Sequence, residues 1–207
     1  MEIKIVQNLN YTDYLDWLDE ASEKTRIDSL PRLMVCSHPL VFTMGRGDRQ
    51  NTSLGLISNL DKVEVVHINR GGGLTFHAPN QIIFYPVMKL NSTYGLNEHL
   101  CMLAKTFQET LKPNLELQYK RNPLGLWYQD QKLASIGIEL KRFVTRHGLA
   151  FNLNRIPIEQ KLLGELNPCG LKATTYTSLE DLGIKLDWQQ AAQQLVEKFQ
   201  ALIKTKL

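Results

Sequence analysis

The stretch LGLWYQDQKLASIGIELKRFVTRHGLAFNL (124–153) holds the clearest fold signal in this sequence. It divides into three runs rich in aliphatic, aromatic and β-branched residues: Leu124–Tyr128, Lys132–Leu140 and Phe143–Leu153. The short polar link at 129–131 predicts that the first two runs pair as a β-hairpin. The stretch therefore predicts three strands, which we place in the sheet of a mixed fold.

Further strand and helix patterns extend outward from this stretch. Apolar runs predict strands at 3–6, 33–37, 41–44, 63–68 and 81–90. Helical spacing predicts helices over 11–26, over 96–111 and from an N-cap at Asp187 to about Lys204. Many strands around a few helices, without repeats or linkers, predict an α+β fold. We expect one domain spanning residues 1–207, with a mixed, mostly antiparallel sheet flanked by helices.

The composition is typical of a globular protein and argues against several classes of partner. Of the 207 residues, 43% are hydrophobic and 22% are charged, and the formal net charge is +3. The lysines and arginines are scattered, so no nucleic-acid partner is expected. No stretch approaches the roughly 18 apolar residues of a membrane span, and the N-terminus lacks the pattern of a signal peptide. We therefore expect a cytoplasmic protein that binds neither nucleic acid nor membrane.

The three cysteines differ in their surroundings. Their odd number, their wide spacing and the absence of a CxxC pair are typical of a reducing compartment. Cys36 lies in an apolar run and Cys101 lies beside the apolar stripe of a helix, so both are predicted to be small buried side chains. Cys169 lies between Pro168 and Gly170, which interrupt regular structure and can present the sulfur to a cleft. A reactive thiol there would also need a nearby cation or amide dipoles.

A glycine-rich loop, a lysine and two histidines are the other candidate groups. The backbone of Gly71–Gly73 can approach a ligand closely and point its amides at negative charge, although hairpin turns show the same pattern. Lys132 opens a strand, where most lysines are simply solvated. His147 lies in an apolar strand, where a structural role is commoner, and a dyad of Cys169 with His77 is an alternative. No pair of histidines has metal-ligand spacing, so no metal ion is predicted.

Taken together, the motifs resemble the lipoyl(octanoyl) transferase family, whose members move octanoate from acyl carrier protein to lipoyl domains. The matching segments are, in order, Ser37–Pro39 with 41–46, RGGGLTFHAPNQ at 70–81, KLASIG at 132–137, HGLAFN at 147–152, NPCG at 167–170 and TSL at 177–179. Their shared order and spacing make the resemblance specific. The sequence departs from the family pattern at Ala78 and Asn80, where side chains are expected to narrow the pocket or to alter the approach of the carrier.

The resemblance implies a fold, a mechanism and a set of site residues. The fold would be that of the biotin and lipoate ligase catalytic domain. Cys169 would be the nucleophile, and Lys132 would lower the pKa of its thiol. The reaction would be ping-pong, through a thioester on the cysteine and without any cofactor or ATP. The implied substrate pocket comprises Arg70, Gly71, Gly72, Gly73, Leu74, Thr75, Phe76, His77, Ser135, Ile136, Gly137, Gly148, Leu149 and Ala150.

The same resemblance implies the partners and leaves two rival functions to be tested. The donor would be octanoyl-acyl carrier protein, and the acceptors would be the lipoyl domains of 2-oxoacid dehydrogenase complexes and the glycine cleavage H protein. An ATP-dependent lipoate-protein ligase of the same fold is the nearest alternative, but such ligases do not need the cysteine at position 169. A non-catalytic module that binds lipoyl domains is the other alternative, and the joint presence of Cys169 and Lys132 argues against it.

Overall fold

Ten strands and three helices are present in the structure, a computed structural model that describes residues 1–48, 64–111, 115–155 and 173–204. The strands are β1 (Glu2–Val6), β2 (Arg32–Cys36), β3 (Val41–Met44), β4 (Glu64–His67), β5 (Leu74–His77), β6 (Gln81–Val87), β7 (Gln118–Arg121), β8 (Leu124–Tyr128), β9 (Gln131–Lys141) and β10 (Val144–Asn152). The helices are α1 (Tyr11–Asp28), α2 (Leu96–Leu111) and α3 (Trp188–Lys204).

Seven of these strands form one large sheet in the order β1-β2-β6-β10-β9-β8-β7. β1 and β2 are parallel, whereas every other neighbouring pair is antiparallel. The three strands of the 124–153 stretch are therefore consecutive neighbours in this sheet. The mixed, mostly antiparallel sheet flanked by helices confirms the predicted α+β class.

The two faces of the large sheet pack against different helices, because side chains alternate along each strand. In β6, Ile82 and Phe84 join the core under α2 and α3, where Phe84 contacts Phe107 and Phe199 edge to face. Ile83 and Tyr85 point to the opposite face and join the core under α1. The large sheet thus separates two apolar layers. The candidate site lies largely on the α1 side.

A second, three-stranded sheet in the order β4-β3-β5 holds the glycine-rich loop beside the large sheet. β5 follows the loop directly and runs antiparallel to β3. The sequence patterns did not predict β5 as a strand. They also missed β7, a short edge strand with the polar sequence QYKR.

Several predictions about single residues can be compared with the structure. The side-chain Oδ1 of Asp187 accepts a hydrogen bond from the Gln190 amide at 3.0 Å, which confirms the predicted N-cap of α3. Cys36 is buried, as expected. The prediction that Cys101 is buried was wrong, because it lies on the solvent side of α2. None of the helices in the described parts of the chain combines the length and apolar character that crossing a bilayer requires.

Candidate active site

A β-bulge at the start of β9 determines where Lys132 points. Trp127 pairs with Lys132, but the preceding residue of β8, Leu126, pairs with Ala134, so Leu133 is one extra residue in β9. In an unbroken strand, Lys132 would share the core-facing side of Ala134. The extra residue instead brings Lys132 to the side of Ser135, which faces the candidate site.

The side chain of Lys132 is buried to an extent that is unusual for a lysine. Its relative exposure is 2%, and its Nζ lies 5.8 Å from the centre of the Trp127 ring. A methyl group on Gly125 would approach the Lys132 Cε to 2.8 Å and the Ala134 carbonyl oxygen to 2.1 Å. Gly125 therefore provides the space in which the lysine stem lies. We refer to Lys132, Trp127 and Gly125, with the glycine-rich loop, as the lysine end of the site.

Lys132 and the glycine-rich loop line one cavity of about 370 Å³, which we call the wide cavity. A volume in this range is typical of a small-molecule site. The lining residues are Gly47, Arg70, Gly72, Gly73, Thr75, Asn122, Pro123, Leu124, Lys132, Ser135 and Ile136.

Backbone hydrogen bonds fix the glycine-rich loop. The carbonyls of Gly72 and Gly73 accept hydrogen bonds from the Gly47 and Gly45 amides at 3.0 and 3.3 Å. Gly72 has φ +80°, a conformation that other residues rarely adopt. The Gly71 amide donates to the Ile138 carbonyl at 3.0 Å, so it joins the loop to β9 and is not directed at a ligand. The expectation that all three amides face a ligand therefore does not hold for Gly71.

Arg70 lies between the two sheets, where the absence of a side chain on Gly137 makes room for it. Gly137 and Gly148 are cross-strand partners in β9 and β10, and a methyl group on Gly137 would come within 2.8 Å of the Arg70 Cδ. The guanidinium donates to the Thr43 carbonyl and hydroxyl oxygens, both at 2.9 Å, and to the Gly71 carbonyl at 3.0 Å. These contacts hold a buried positive charge at the boundary of the cavity.

A smaller cavity of about 30 Å³ adjoins the wide cavity, and we call it the narrow cavity. Arg70, Thr75, Ser135 and Ile136 line both cavities. The remaining residues that line the narrow cavity are Tyr11, His77, Ile83, Tyr85, Gly137, His147, Gly148, Leu149 and Ala150.

Side chains alternate along β5, so the residues of this strand that were predicted to bind substrate point into two different environments. Thr75 and His77 line the narrow cavity. Leu74 and Phe76 point the other way, into a separate apolar cluster that also contains Phe42. Of the fourteen predicted pocket residues, the two cavities bring together all except Leu74, Phe76 and Gly71.

Three buried histidines and three buried tyrosines surround the narrow cavity, and we refer to these six residues as the histidine end. They are His38, His77, His147, Tyr11, Tyr14 and Tyr85. Tyr14 stacks on Tyr85 with a centroid distance of 4.0 Å, and its hydroxyl is 3.0 Å from His147 Nδ1. Tyr11 stacks on His77 at 5.9 Å. These contacts join α1 to β5, β6 and β10.

Burial keeps the histidines of this cluster neutral. It lowers the pKa of His38 to about 4 and that of His147 to about 3, the latter with the help of the Arg70 charge. The pKa of His77 is also well below its usual value, because of burial and then the neighbouring His38 and Arg70. The Leu9 carbonyl accepts from His38 Nδ1 at 2.7 Å, so the neutral ring accepts from the Tyr85 hydroxyl at Nε2, 3.1 Å away.

His147 has a backbone conformation that non-glycine residues rarely adopt, with φ +62°. Its Nε2 lies 3.8 Å from Glu139 Oε2, and the same carboxylate oxygen is 3.0 Å from the Nε of Arg146. The prediction of a structural role for His147 agrees with these contacts. The residue also lines the narrow cavity, which the apolar pattern of its strand did not indicate.

The two departures from the family pattern lie away from the cavities. Ala78 packs in the apolar cluster of Phe42, and the Asn80 side chain donates to the Asn154 carbonyl. Neither residue lines the wide or the narrow cavity. The expectation that they narrow the pocket is therefore not supported by their positions.

Cys169 lies outside the described residues, as does the NPCG segment that contains it. The described residues on either side of positions 156–172 are held near the lysine. The Thr177 amide donates to the Lys132 carbonyl at 3.1 Å, and the Thr177 carbonyl accepts from the Asn152 side chain at 3.0 Å. Tyr176 forms a β-bridge with Lys132. The chain thus returns to the start of β9 seven residues after Cys169.

The sequence analysis did not predict four members of the histidine end as site residues: Tyr11, Tyr14, His38 and Tyr85. Tyr11 and Tyr14 are three residues apart and therefore share one face of α1, which was the available signal. His38 lies in the Ser37–Pro39 segment, which marked the family resemblance without receiving a role.

Comparison with known proteins gives matches over most of the chain. Residues 5–200 match the family described as lipoyl protein ligase A/B catalytic domain. An octanoyltransferase from Syntrophotalea carbinolica is 32% identical over 211 residues, covering 100% of this chain and 96% of the relative. An octanoyltransferase from Thermoanaerobacter sp. strain X514 is 34% identical over 174 residues, covering 81% of this chain and 74% of the relative.

Solved structures with low sequence identity share the fold. A crystal structure of lipoate-protein ligase A bound with ATP has a TM-score of 0.79 at 11% identity, covering 99% of this chain and 86% of the other. The biotin protein ligase of Aquifex aeolicus in complex with biotin and ATP has a TM-score of 0.57 at 16% identity, covering 99% and 72%. The expected biotin and lipoate ligase fold is thereby confirmed.

Proposed function

This chain belongs to the lipoyl protein ligase A/B catalytic domain family and is an acyltransferase of its octanoyltransferase branch, and from that premise we propose how it performs the transfer. The donor is octanoyl-acyl carrier protein, and the acceptor is a lysine of a lipoyl domain, in a 2-oxoacid dehydrogenase complex or in the glycine cleavage H protein. Cys169 carries the octanoyl group as a thioester between the two half-reactions.

One observation carries this proposal. Lys132 is a buried lysine that lines a cavity of substrate size, and its backbone is bonded to the chain that follows Cys169. Cys169 precedes Ala173 by four residues, a distance that the chain can span up to about 14 Å. The covalent connection thus limits how far the thiol can lie from the lysine end.

In the first half-reaction, the Cys169 thiolate attacks the carbonyl carbon of the donor thioester. The ammonium of Lys132 favours the thiolate form before the attack. When the tetrahedral intermediate collapses, the bond to the carrier sulfur breaks, and Lys132 gives its proton to that sulfur. The enzyme is then an octanoyl thioester, and the lysine is a neutral amine.

In the second half-reaction, the amine of the acceptor lysine attacks the octanoyl carbonyl on Cys169. Neutral Lys132 takes a proton from the attacking nitrogen, the carbon–sulfur bond breaks, and the octanoyl amide leaves. This step restores the thiolate and the ammonium. Proton and charge are balanced over the cycle, and a thioester needs no ATP to acylate an amine.

In this proposal the octanoyl group lies in the wide cavity. Its lining includes Gly72 and Gly73 of the glycine-rich loop, Thr75 of β5, and Ser135 and Ile136 of β9. Gly148, Leu149 and Ala150 line the narrow cavity beyond the end of the acyl chain. Leu74 and Phe76 support the loop from its other side, since their side chains pack in the apolar cluster of Phe42.

The test is an ATP-free transfer assay with octanoyl-acyl carrier protein and a lipoyl domain, read by intact mass of both proteins. Wild-type enzyme should gain one octanoyl group and pass it on, whereas Cys169→Ala should do neither. Cys101→Ala is the matched control, because Cys101 is an exposed thiol that could be acylated without specificity. Cys36→Ala is a second control, since burial raises the pKa of that thiol.

Three other results of this assay would contradict the proposal. Transfer by Cys169→Ala would disprove the thioester intermediate. A requirement for ATP would indicate a ligase, and tight binding of the lipoyl domain without transfer would indicate a binding module.

A further inference from the structure

We propose that the histidine end sets the upper limit of the acyl chain length, because a longer chain must enter the narrow cavity and displace water from the polar groups of His77 and Tyr11. This inference rests on the proposed function, and it assigns a specificity role to residues that act away from the reacting atoms.

The dimensions of the site place the upper limit of the acyl chain length close to eight carbons. Lys132 and Ile136 are four residues apart on β9, but one of the intervening residues is the bulge, so they are about three regular steps apart, or roughly 10 Å at about 3.3 Å per residue. An extended octanoyl chain, with carbon–carbon bonds of about 1.5 Å in a zigzag, spans roughly 9 Å. A chain whose carbonyl lies near Lys132 therefore ends around Ser135 and Ile136, where the wide cavity meets the narrow one.

An apolar cavity would not stop a longer chain at this point. Each additional methylene that leaves water for an apolar site adds roughly a fourfold preference for the longer chain. Discrimination against decanoyl and dodecanoyl groups must therefore come from groups that the extra methylenes would place in an unfavourable environment.

The narrow cavity contains such groups. Seven of its thirteen lining residues carry polar side chains, and its volume of about 30 Å³ suffices for roughly two water molecules. An apolar chain end in this space would remove hydration without forming any hydrogen bond.

His77 gives the clearest case. Its Nδ1 is buried and has no hydrogen-bond partner among the described residues. The Thr43 hydroxyl lies 3.3 Å from His77 Nε2, so Nε2 has a partner in either tautomer of the neutral ring, whereas Nδ1 has none among the described residues. The neighbouring Gln81 side chain already bonds the Ala78 amide, the Phe76 carbonyl and Asn152. A buried polar nitrogen of this kind is satisfied by water, and a methyl group would replace that water.

The experiment measures which acyl groups reach the enzyme. Octanoyl, decanoyl and dodecanoyl carriers are mixed in equal amounts, the reaction is quenched early, and the acyl-enzyme species are counted by intact mass. We expect wild type to carry mostly octanoyl. In His77→Leu, an apolar side chain replaces the polar ring, and the ratio of dodecanoyl to octanoyl enzyme should rise at least tenfold.

Two further variants distinguish the polar effect from a general loss of packing. Tyr11→Phe keeps the ring and removes only the hydroxyl, so it should shift the ratio in the same direction by about threefold. His99→Leu is the matched control. His99 is also buried, contacts a tyrosine hydroxyl and has a ring nitrogen without a partner among the described residues, yet it lies on α2 and lines neither cavity. Its ratio should equal that of wild type.

The possible outcomes separate the two proposals. An unchanged ratio in His77→Leu and Tyr11→Phe would overturn the chain-length role. So would a wild type that accepts dodecanoyl as readily as octanoyl. Failure of folded His77→Leu to accept any chain would assign His77 to the chemistry and would also overturn it. If wild type itself accepts no acyl group from any carrier, the proposed function has failed, whatever the variants do.

Discussion

The lysine end and the histidine end are built in different ways, although their cavities adjoin and have four lining residues in common. At the lysine end, backbone atoms and glycines shape the wide cavity. The contributing features are the bulge at Leu133, the space left by the missing side chain of Gly125 and the hydrogen-bonded carbonyls of Gly72 and Gly73. At the histidine end, large side chains from α1, β5, β6 and β10 stack on each other and leave a small cavity lined by both apolar and polar groups.

The difference indicates a division of tasks. A region shaped by backbone atoms and glycines keeps its geometry only if those residues stay small. We therefore expect single substitutions there to abolish most of the transfer activity. A region built from side chains can be altered one polar group at a time, so we expect graded changes in specificity and in stability. The following predictions are arranged from the largest expected effect to the smallest.

The largest effect should come from Lys132. Lys132→Arg keeps the positive charge but cannot release a proton, since the arginine pKa is above 12. If Lys132 transfers protons, both Lys132→Arg and Lys132→Met should lower single-turnover acylation and deacylation by about 1,000-fold. Iodoacetamide reactivity against pH, measured beside the transfer rates, reports whether the thiolate still forms. Transfer near the wild-type rate in Lys132→Arg would reduce the lysine to an electrostatic partner.

Gly125→Ala tests whether the lysine end requires a residue without a side chain at position 125. The new methyl group would lie 2.1 Å from the Ala134 carbonyl oxygen and 2.8 Å from Lys132 Cε, so strand or lysine must move. A displacement of about 1 Å can lower a rate by about 100-fold, and overpacking typically costs about 1–3 kcal/mol of stability. The measurements are single-turnover transfer and urea unfolding.

Gly183→Ala provides the control for this glycine experiment. Gly183 has φ +77° and no neighbour within 4 Å of the added atom, so strain alone should cost about 1 kcal/mol. Its transfer rate should be that of wild type. Equal transfer rates in Gly125→Ala and Gly183→Ala would show that the space beside Lys132 has no importance.

Acid should weaken the fold through the histidine end. The folded pKa values of His38 and His147 are about 4 and about 3, below the unfolded value of about 6.5, so the unfolded chain binds protons first as the pH falls. Stability present above pH 6.5 is therefore lost progressively as the pH falls from about 6.5 to about 4 for His38 and to about 3 for His147. Each histidine should remove about 2 kcal/mol between pH 6.5 and 5.

Urea unfolding of His147→Asn at pH 7 and pH 5 measures this contribution. Asparagine tolerates the positive φ at position 147 and does not titrate. The stability difference between the two pH values should shrink by about 2 kcal/mol relative to wild type. The same difference in both proteins would show that His147 does not contribute to acid sensitivity.

The smallest effect should come from Trp127, whose ring lies 5.8 Å from Lys132 Nζ. A cation–π contact contributes about 0.5–1 kcal/mol or somewhat more when desolvated, so Trp127→Leu should lower transfer about three- to fivefold. Trp127→Phe keeps an aromatic ring and should lose less. Equal losses in both variants would point to packing and not to the ring charge distribution.

The lysine end was largely predictable from the sequence, and the histidine end was not. Gly71–Gly73, Lys132 and the glycine of β10 belong to short contiguous motifs, and strands such as Val41–Met44 and Leu124–Tyr128 were predicted with their observed bounds. Tyr11, Tyr14, His38 and Tyr85 come from three separate elements or loops, and only the packing of α1 on the sheet brings them together. β5 was not predicted as a strand, because its four residues follow Gly71–Gly73 directly and have the pattern of a continued loop.

The bulge at Leu133 makes the direction of the Lys132 side chain depend on how β8 and β9 pair, as well as on residue type. If β9 alternated regularly over the same residues, Lys132 would lie two positions before Ala134 and would point towards the apolar core. A change elsewhere in the hairpin that closed the bulge without removing a residue would leave the lysine unaltered in a sequence alignment and turn its side chain out of the cavity. A lysine aligned at this position in a relative is therefore not sufficient evidence that its side chain lines a cavity there.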